Sequence, residues 1–356
     1  MKAKLTLISL AAIGLLQACS TTTDSTAKQT PTAVKQQAPI NLQPATLFAN
    51  LPDSCPNPDA FAIAPDSSLT LSCPNYASKK VKGMLLNVTA DGSVTEIGKI
   101  KTKNGFAQPM GLAYAPDGSL YVCDNAGRHK GSLLKVTLNG NKIASTEVIA
   151  TGMSSPNGVR YQEGNLYVSQ LRLPKAKTAN MSSGIYRFSE NDRNVKVASD
   201  LTSEHLIFSR QTENKSRQFG LDGLVFDSKG DLLVGDFGDA IIYKLRLDQA
   251  GKVVEKSVFA ELDNSVGIDG LAIDKADNVY LAGFLKNEIY KVTASGKISL
   301  LAQYSDNNGA NGEIDQPADL IVYQDKLVIS NFDLMKGKGI VNKGHGKPYT
   351  ISAIEL

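Results

Sequence analysis

Residues 267–292, GIDGLAIDKADNVYLAGFLKNEIYKV, switch between apolar and polar positions in short bursts. Ile268 to Ile273 alternates behind a turn-like Asp-Gly, and Asp274 to Asn278 is polar and turn-forming. Val279 to Gly283 is β-branched and aromatic, and Glu288 to Val292 alternates again. Period-two alternation between Gly, Asn and Asp clusters predicts short strands joined by tight turns. The same phrase recurs from Pro109, Pro156 and Leu221, and more weakly from Pro58 and Pro317. Its second position falls at 59, 110, 157, 222, 269 and 318, with spacings of 51, 47, 65, 47 and 49. A repeat of about 40–50 residues with several short strands each is a propeller signature. The predicted fold is therefore all-β, a six-bladed β-propeller.

The chain divides into three parts. Residues 1–18 read as a signal peptide: Lys2 and Lys4 precede an apolar run from Leu5 to Leu16 that is too short to span a bilayer. The run ends in Leu16-Gln17-Ala18-Cys19, which resembles the lipobox of bacterial lipoproteins, with Cys19 as the lipidated residue. Ser20 after it favours the outer membrane, facing the periplasm. Residues 19–43 are rich in Thr, Gln, Ala and Pro without an aromatic. They read as a flexible tether with a reach of roughly 25 Å. Residues 44–356 hold the propeller. Leu47 to Leu51 resembles the outermost strand of other repeats, whereas the chain ends on a third strand at Tyr349–Leu356. Pairing the two would close the ring and remove an exposed edge.

Three connections are long: Leu171 to Ser183, Leu201 to Gly220 and Phe332 to Lys347. All open on one face, so they are expected to wall a pocket over the central channel.

Composition adds little. The net charge of +3 gives no reason to expect nucleic acid, and membrane contact is expected through the lipid anchor only. With Cys19 lipidated, Cys55 and Cys73 flank the first two strands of blade 1 on one face and are expected to form a disulfide, leaving Cys123 free. His129, His205 and His345 sit in polar loops without an evident partner, and no common catalytic string is present.

The informative feature is the column at the mouth of the innermost strands: Asp59, Met110, Asn157, Asp222, Asp269 and Ala318. Equivalent positions in a propeller point at one axial spot. Asp59, Asn157, Asp222 and Asp269 would bring three carboxylates and an amide oxygen together, the ligand set of a hard cation, Ca²⁺ above all. Asp-Gly and Asn-Gly are also plain turn formers, which explains each residue singly without a metal.

The Pro-Asn-Gly-Val and Leu-Asp-Gly-Leu starts, each followed by a turn and a Tyr-Val or Leu-Val strand, resemble the SMP-30/gluconolactonase/luciferin-regenerating-enzyme family, a six-bladed, paraoxonase-related group. The resemblance covers about residues 45–356. It implies an axial metal, with Asn157 and Asp222 at the family's Asn-Gly and Asp-Gly positions. Asp59 stands where the family has Glu, and Met110 stands near another Asn position. It also implies a Ca²⁺-dependent hydrolase of a small lactone or ester, with Asp222 as the base. Lysines and arginines in the second-to-third-strand connections, from Lys79, Lys82 and Lys130 to Arg172, Lys343 and Lys347, would rim that face and favour an anionic substrate. The repeats also resemble NHL repeats, which implies an alternative: a non-catalytic propeller lipoprotein that binds a protein or anionic partner.

Overall fold

The computed structural model describes residues 42–127 and 129–356. Cys19, the signal segment and nearly all of the tether lie outside them. Six blades, each built on four antiparallel strands, run in chain order around one axis. Blade 4 shows the plan: Leu221–Phe226 is innermost, followed outward by Leu232–Asp236, Ile241–Leu247 and Val253–Glu261. The only helical element among the described residues is a single 3-10 turn at Pro174–Ala176.

Local chemistry makes each hairpin. Asp227 accepts the backbone N–H groups of Lys229 and Asp231 through Oδ1, and Gly230 takes φ +80°. A side chain that caps its own turn and a residue at positive φ fix the reversal between first and second strands. Asp274 repeats this with Ala276 and Asn278, and Asp117 with Ser119.

The ring closes as expected. Thr46–Asn50 is the fourth strand of blade 6, pairing antiparallel with Thr350–Glu355 in the register Thr46 to Ala353 and Asn50 to Thr350. The seam is packed as well as hydrogen-bonded. Leu71 and Leu86 of blade 1 share a buried cluster with Val328 and Ile351 of blade 6, and the Tyr323 hydroxyl donates to Ser67 O at 2.7 Å. Cys55 and Cys73 form a disulfide within this cluster, with Cα atoms 5.4 Å apart.

The long repeat between blades 3 and 4 has a structural use. Its extra residues place Val195–Lys196 in parallel against Ile143–Met153, adding a fifth strand to blade 2 and covering its outer edge.

Candidate functional site

Every inner strand of blades 2 to 6 has a register shift at the same place: between Pro109 and Leu112, Pro156 and Val159, Leu221 and Leu224, Ile268 and Leu271, and Pro317 and Leu320. The two residues inside each shift are a β-bulge, which bends a strand and re-aims its side chains. Asn157, Asp222 and Asp269 occupy the first bulge position. Glycine holds the second in four blades because the next blade is too close for a side chain. A Cβ on Gly223 would meet Asp269 O at 2.4 Å, and one on Gly111 would meet Asn157 O at 2.3 Å. The glycines draw the inner strands together, and the bulges turn their donors toward the axis.

Asp59, Asn157, Asp222 and Asp269 all line one axial cavity of about 20 Å³. Met110 does not. It is buried on the same ring, and its Sδ accepts the Tyr76 hydroxyl at 3.4 Å. Two charged residues join the lining that the strand-mouth column does not contain. Asp319 takes the glycine position of blade 6, where its Oδ2 accepts Phe61 N–H at 3.1 Å. Arg160 takes a position held elsewhere by Ala or a branched aliphatic. It donates to Val159 O at 2.8 Å and, across the channel, to Leu271 O at 3.1 Å. Both break the repeat consensus, and that break is a signal visible in the sequence.

Burial dominates the electrostatics. It holds Asp59, Asp222 and Asp269 well above the usual carboxylate range, and neighbouring aspartates add to the effect. The charges of Asp59 and Asp319 raise both Asp222 and Asp269 further, and that of Asp222 also raises Asp269. Burial also raises Asp319, with Arg160 pulling the other way. Burial depresses Arg160 in turn, with Asp319 opposing.

Among the described residues no three His, Cys, Asp or Glu side chains form a ready metal cluster. The donors nonetheless suit a hard cation in chemistry and room. They are carboxylate and amide oxygens held at high desolvation cost around space for about one ion or water. A bound cation would offset that cost, as Arg160 does in part.

A wide pocket over the channel, expected from the three long connections, is not what those connections build. Phe237, Phe284 and Phe332 each follow the end of a second strand and lean on one another, with ring centroids 5.7 and 5.8 Å apart. Phe219 extends the row at 6.1 Å, with the Arg172 guanidinium over it, and Tyr76 ends it 6.4 Å from Phe332. Ala318 belongs both to this apolar cluster and to the axial cavity, so the aromatics cap the axis. Burying large rings here stabilises by about 1.5–3 kcal/mol each, more than an open bowl of polar loops would. Tyr76 alone of the row is substantially exposed, at 36 %.

The basic rim is likewise uneven. Lys79, Lys82 and Lys130 line one cleft beside Tyr76, where Lys82 Nζ donates to Lys79 O at 3.1 Å and, among the described residues, none of the three meets an acid. Lys347 is paired with Asp53, and Lys343 donates to Ile340 O. The histidines do have partners. His129 Nδ1 lies 2.6 Å from Ser154 Oγ, His205 stacks on Phe188, and His345 stacks on Tyr349 beside Asp333. None lines the axial cavity. Cys123 is free and buried, its thiol 3.7 Å from Gly158 O, and burial pushes its pKa up.

Residues 99–304 match the family described as SMP-30/Gluconolactonase/LRE-like region. No curated protein matches the chain. Among solved structures, a calcium-binding regucalcin from Agrobacterium tumefaciens is 14 % identical with a TM-score of 0.60, covering 89 % of this chain and 95 % of its own. A gluconolactonase from Xanthomonas campestris is 14 % identical with a TM-score of 0.56, covering 90 % and 97 %. A virginiamycin B lyase from Staphylococcus aureus is 13 % identical with a TM-score of 0.51, covering 88 % and 99 %. A lyase on the same fold means that the fold alone does not select the chemistry.

Proposed function

The chain belongs to the SMP-30/gluconolactonase/LRE-like family, and from that premise we propose that it is a Ca²⁺-dependent hydrolase of a small lactone or ester. The observation that carries this reading is the bulged ring that brings Asp59, Asn157, Asp222 and Asp269 around one ion-sized cavity. Those four residues would hold the cation, with Ca²⁺ favoured over Zn²⁺ by the all-oxygen set. When bound, the cation supplies Lewis acidity for an ester carbonyl. Asp222 is the base. It accepts the proton of the attacking water, lying in the axial cavity beside Asp59, Asn157 and Asp269. Arg160 adds fixed positive charge beneath the site. Cys19 anchors the chain at the outer membrane facing the periplasm, an oxidising compartment that suits the Cys55–Cys73 disulfide.

One observation favours a second reading, a non-catalytic propeller that binds a protein or anionic partner: the axial cavity is far smaller than a lactone and lies under the aromatic row. Calorimetric Ca²⁺ titration with a lactone-hydrolysis assay decides between them. Wild type is expected to bind Ca²⁺ and turn over a lactone. Asp222→Asn is expected to lose at least about 100-fold in rate at saturating Ca²⁺, because an amide keeps an oxygen ligand but not a base. A wild type that neither binds Ca²⁺ nor hydrolyses any lactone leaves the binding propeller standing.

A further inference from the structure

The cleft beside Tyr76 combines lysines with exposed aromatic rings, whereas the adjoining cleft of Lys103, Lys130 and Lys196 also lacks an acid among the described residues but holds no Phe or Tyr. The Tyr76 cleft has a volume of about 500 Å³, within the range of small-molecule sites. Lys79, Lys82 and Lys130 line it, and no Asp or Glu does. Among the described residues none of the three lysines is in a salt bridge. By contrast, the groove between blades 5 and 6 mixes Lys286 and Lys343 with Asp263, Glu288 and Asp306. The cleft also holds two exposed aromatics, Tyr76 at 36 % and Phe106 at 41 %. Phe106 sits on a small hairpin formed by Lys101–Thr102 and Gly105–Phe106, outside every buried cluster among the described residues. An aromatic left in water on a short hairpin gains nothing for the fold.

The walls are fixed. Asn75 is 2 % exposed, and its amide donates to Ser54 O and Lys82 O at 2.8 Å each, holding the segment that carries Lys79 and Lys82. Gly83 lets that segment lie against the next one, since a Cβ there would meet Ala107 O at 2.3 Å. The cleft is therefore preorganised. It also adjoins the axial ring, because Tyr76 lines it and donates its hydroxyl to Met110 Sδ at 3.4 Å and to Asn125 O at 3.2 Å.

From these features we infer that the cleft is the recognition subsite for a small anionic ligand with a flat apolar body. The body lies against Tyr76 and Phe106, and its carboxylate or phosphate meets Lys79, Lys82 and Lys130. As a statement about substrate it rests on the hydrolase reading, and names the class: a lactone or ester that carries an aromatic or unsaturated ring and a negative charge. Binding itself does not depend on the axial metal.

The test exploits the lack of tryptophan in the chain. Fluorescence titration of 2-naphthoate into the EDTA-treated mature protein is expected to saturate, with the neutral 2-naphthamide bound at least ten-fold more weakly. The double variant Lys82→Gln/Lys130→Gln is expected to lose at least ten-fold in naphthoate affinity, and Phe106→Ala at least three-fold, both with unchanged melting temperature. Equal binding of amide and carboxylate, unaltered affinity in both variants, or no binding of naphthoate at millimolar concentration overturns the subsite. A Ca²⁺-loaded ester assay keeps the two readings apart. Naphthoate binding without any esterase activity supports the cleft and removes the hydrolase. Activity with naphthoate affinity unchanged in the variants keeps the hydrolase and removes the cleft.

Discussion

The axial cavity is about 20 Å³, lined by four aspartates and one arginine, whereas the rim cleft beside Tyr76 is about 500 Å³, with three lysines and no acid. The first is made of repeat positions. Six inner strands meet there, so each side chain is confined by the next blade, and burial lifts the carboxylates. The second is made of what repeats leave free: one connection of blade 1, a hairpin before blade 2, and Lys130. Such loops carry charge and exposed rings at little cost to the fold. Packing density therefore separates a tightly confined acidic cavity from an open basic cleft.

That contrast breaks most visibly at Gly223. A Gly223→Val change drives a branched side chain into Asp269 O and Leu271 N, 2.4 and 2.7 Å from the new Cβ. A loss of at least about 3 kcal/mol is expected in chemical denaturation, at the upper end for overpacking. A wild-type midpoint would mean that the inner strands are not packed as tightly as their glycines imply.

Asp315 sharpens the comparison by separating burial from metal binding. It lies 1 % exposed in the loop leading into blade 6, and its Oδ1 has no partner among the described residues. Burial, with Asp333 and Asp306 adding, pushes its pKa up to about 8. The unfolded chain gives up that proton near pH 4, while the folded protein keeps it. Stability is then full at low pH and falls as pH rises from about 4 through about 8. In EDTA, Asp315→Asn is expected to remove about 1–3 kcal/mol of the decline between pH 5 and 8. Parallel pH–stability curves for wild type and variant would show that burial alone does not hold this carboxyl protonated.

The smallest effects belong to the rim. Lys82→Gln and Phe106→Ala are each expected to change stability by less than about 0.5 kcal/mol. A Phe106→Ala loss above about 1 kcal/mol, read by thermal denaturation, would make that ring part of the core and erase the contrast with the axis.

The sequence by itself determined what is local or periodic. Alternation and Asp-capped turns specify each hairpin, the repeat spacing counts six blades, and the unmatched strand at Thr46–Asn50 closes the ring. The strand-mouth column, from Asp59 to Asp269, was legible because equivalent positions in a ring share a direction. Asp319 and Arg160 were legible only as departures from glycine and aliphatic positions. Phe237, Phe284 and Phe332 were legible only as a shared offset after second strands. What only the tertiary structure decided depends on contacts between blades. The bulges acquire their purpose when the next blade is 2–3 Å from a missing Cβ. The aromatic row becomes a cap instead of a pocket wall because rings from separate blades find each other. The rim cleft joins Tyr76, Phe106 and Lys130 from separate loops. Such contacts carry no period in the chain. They exist only after the ring has closed and set the distances between segments that are far apart in sequence.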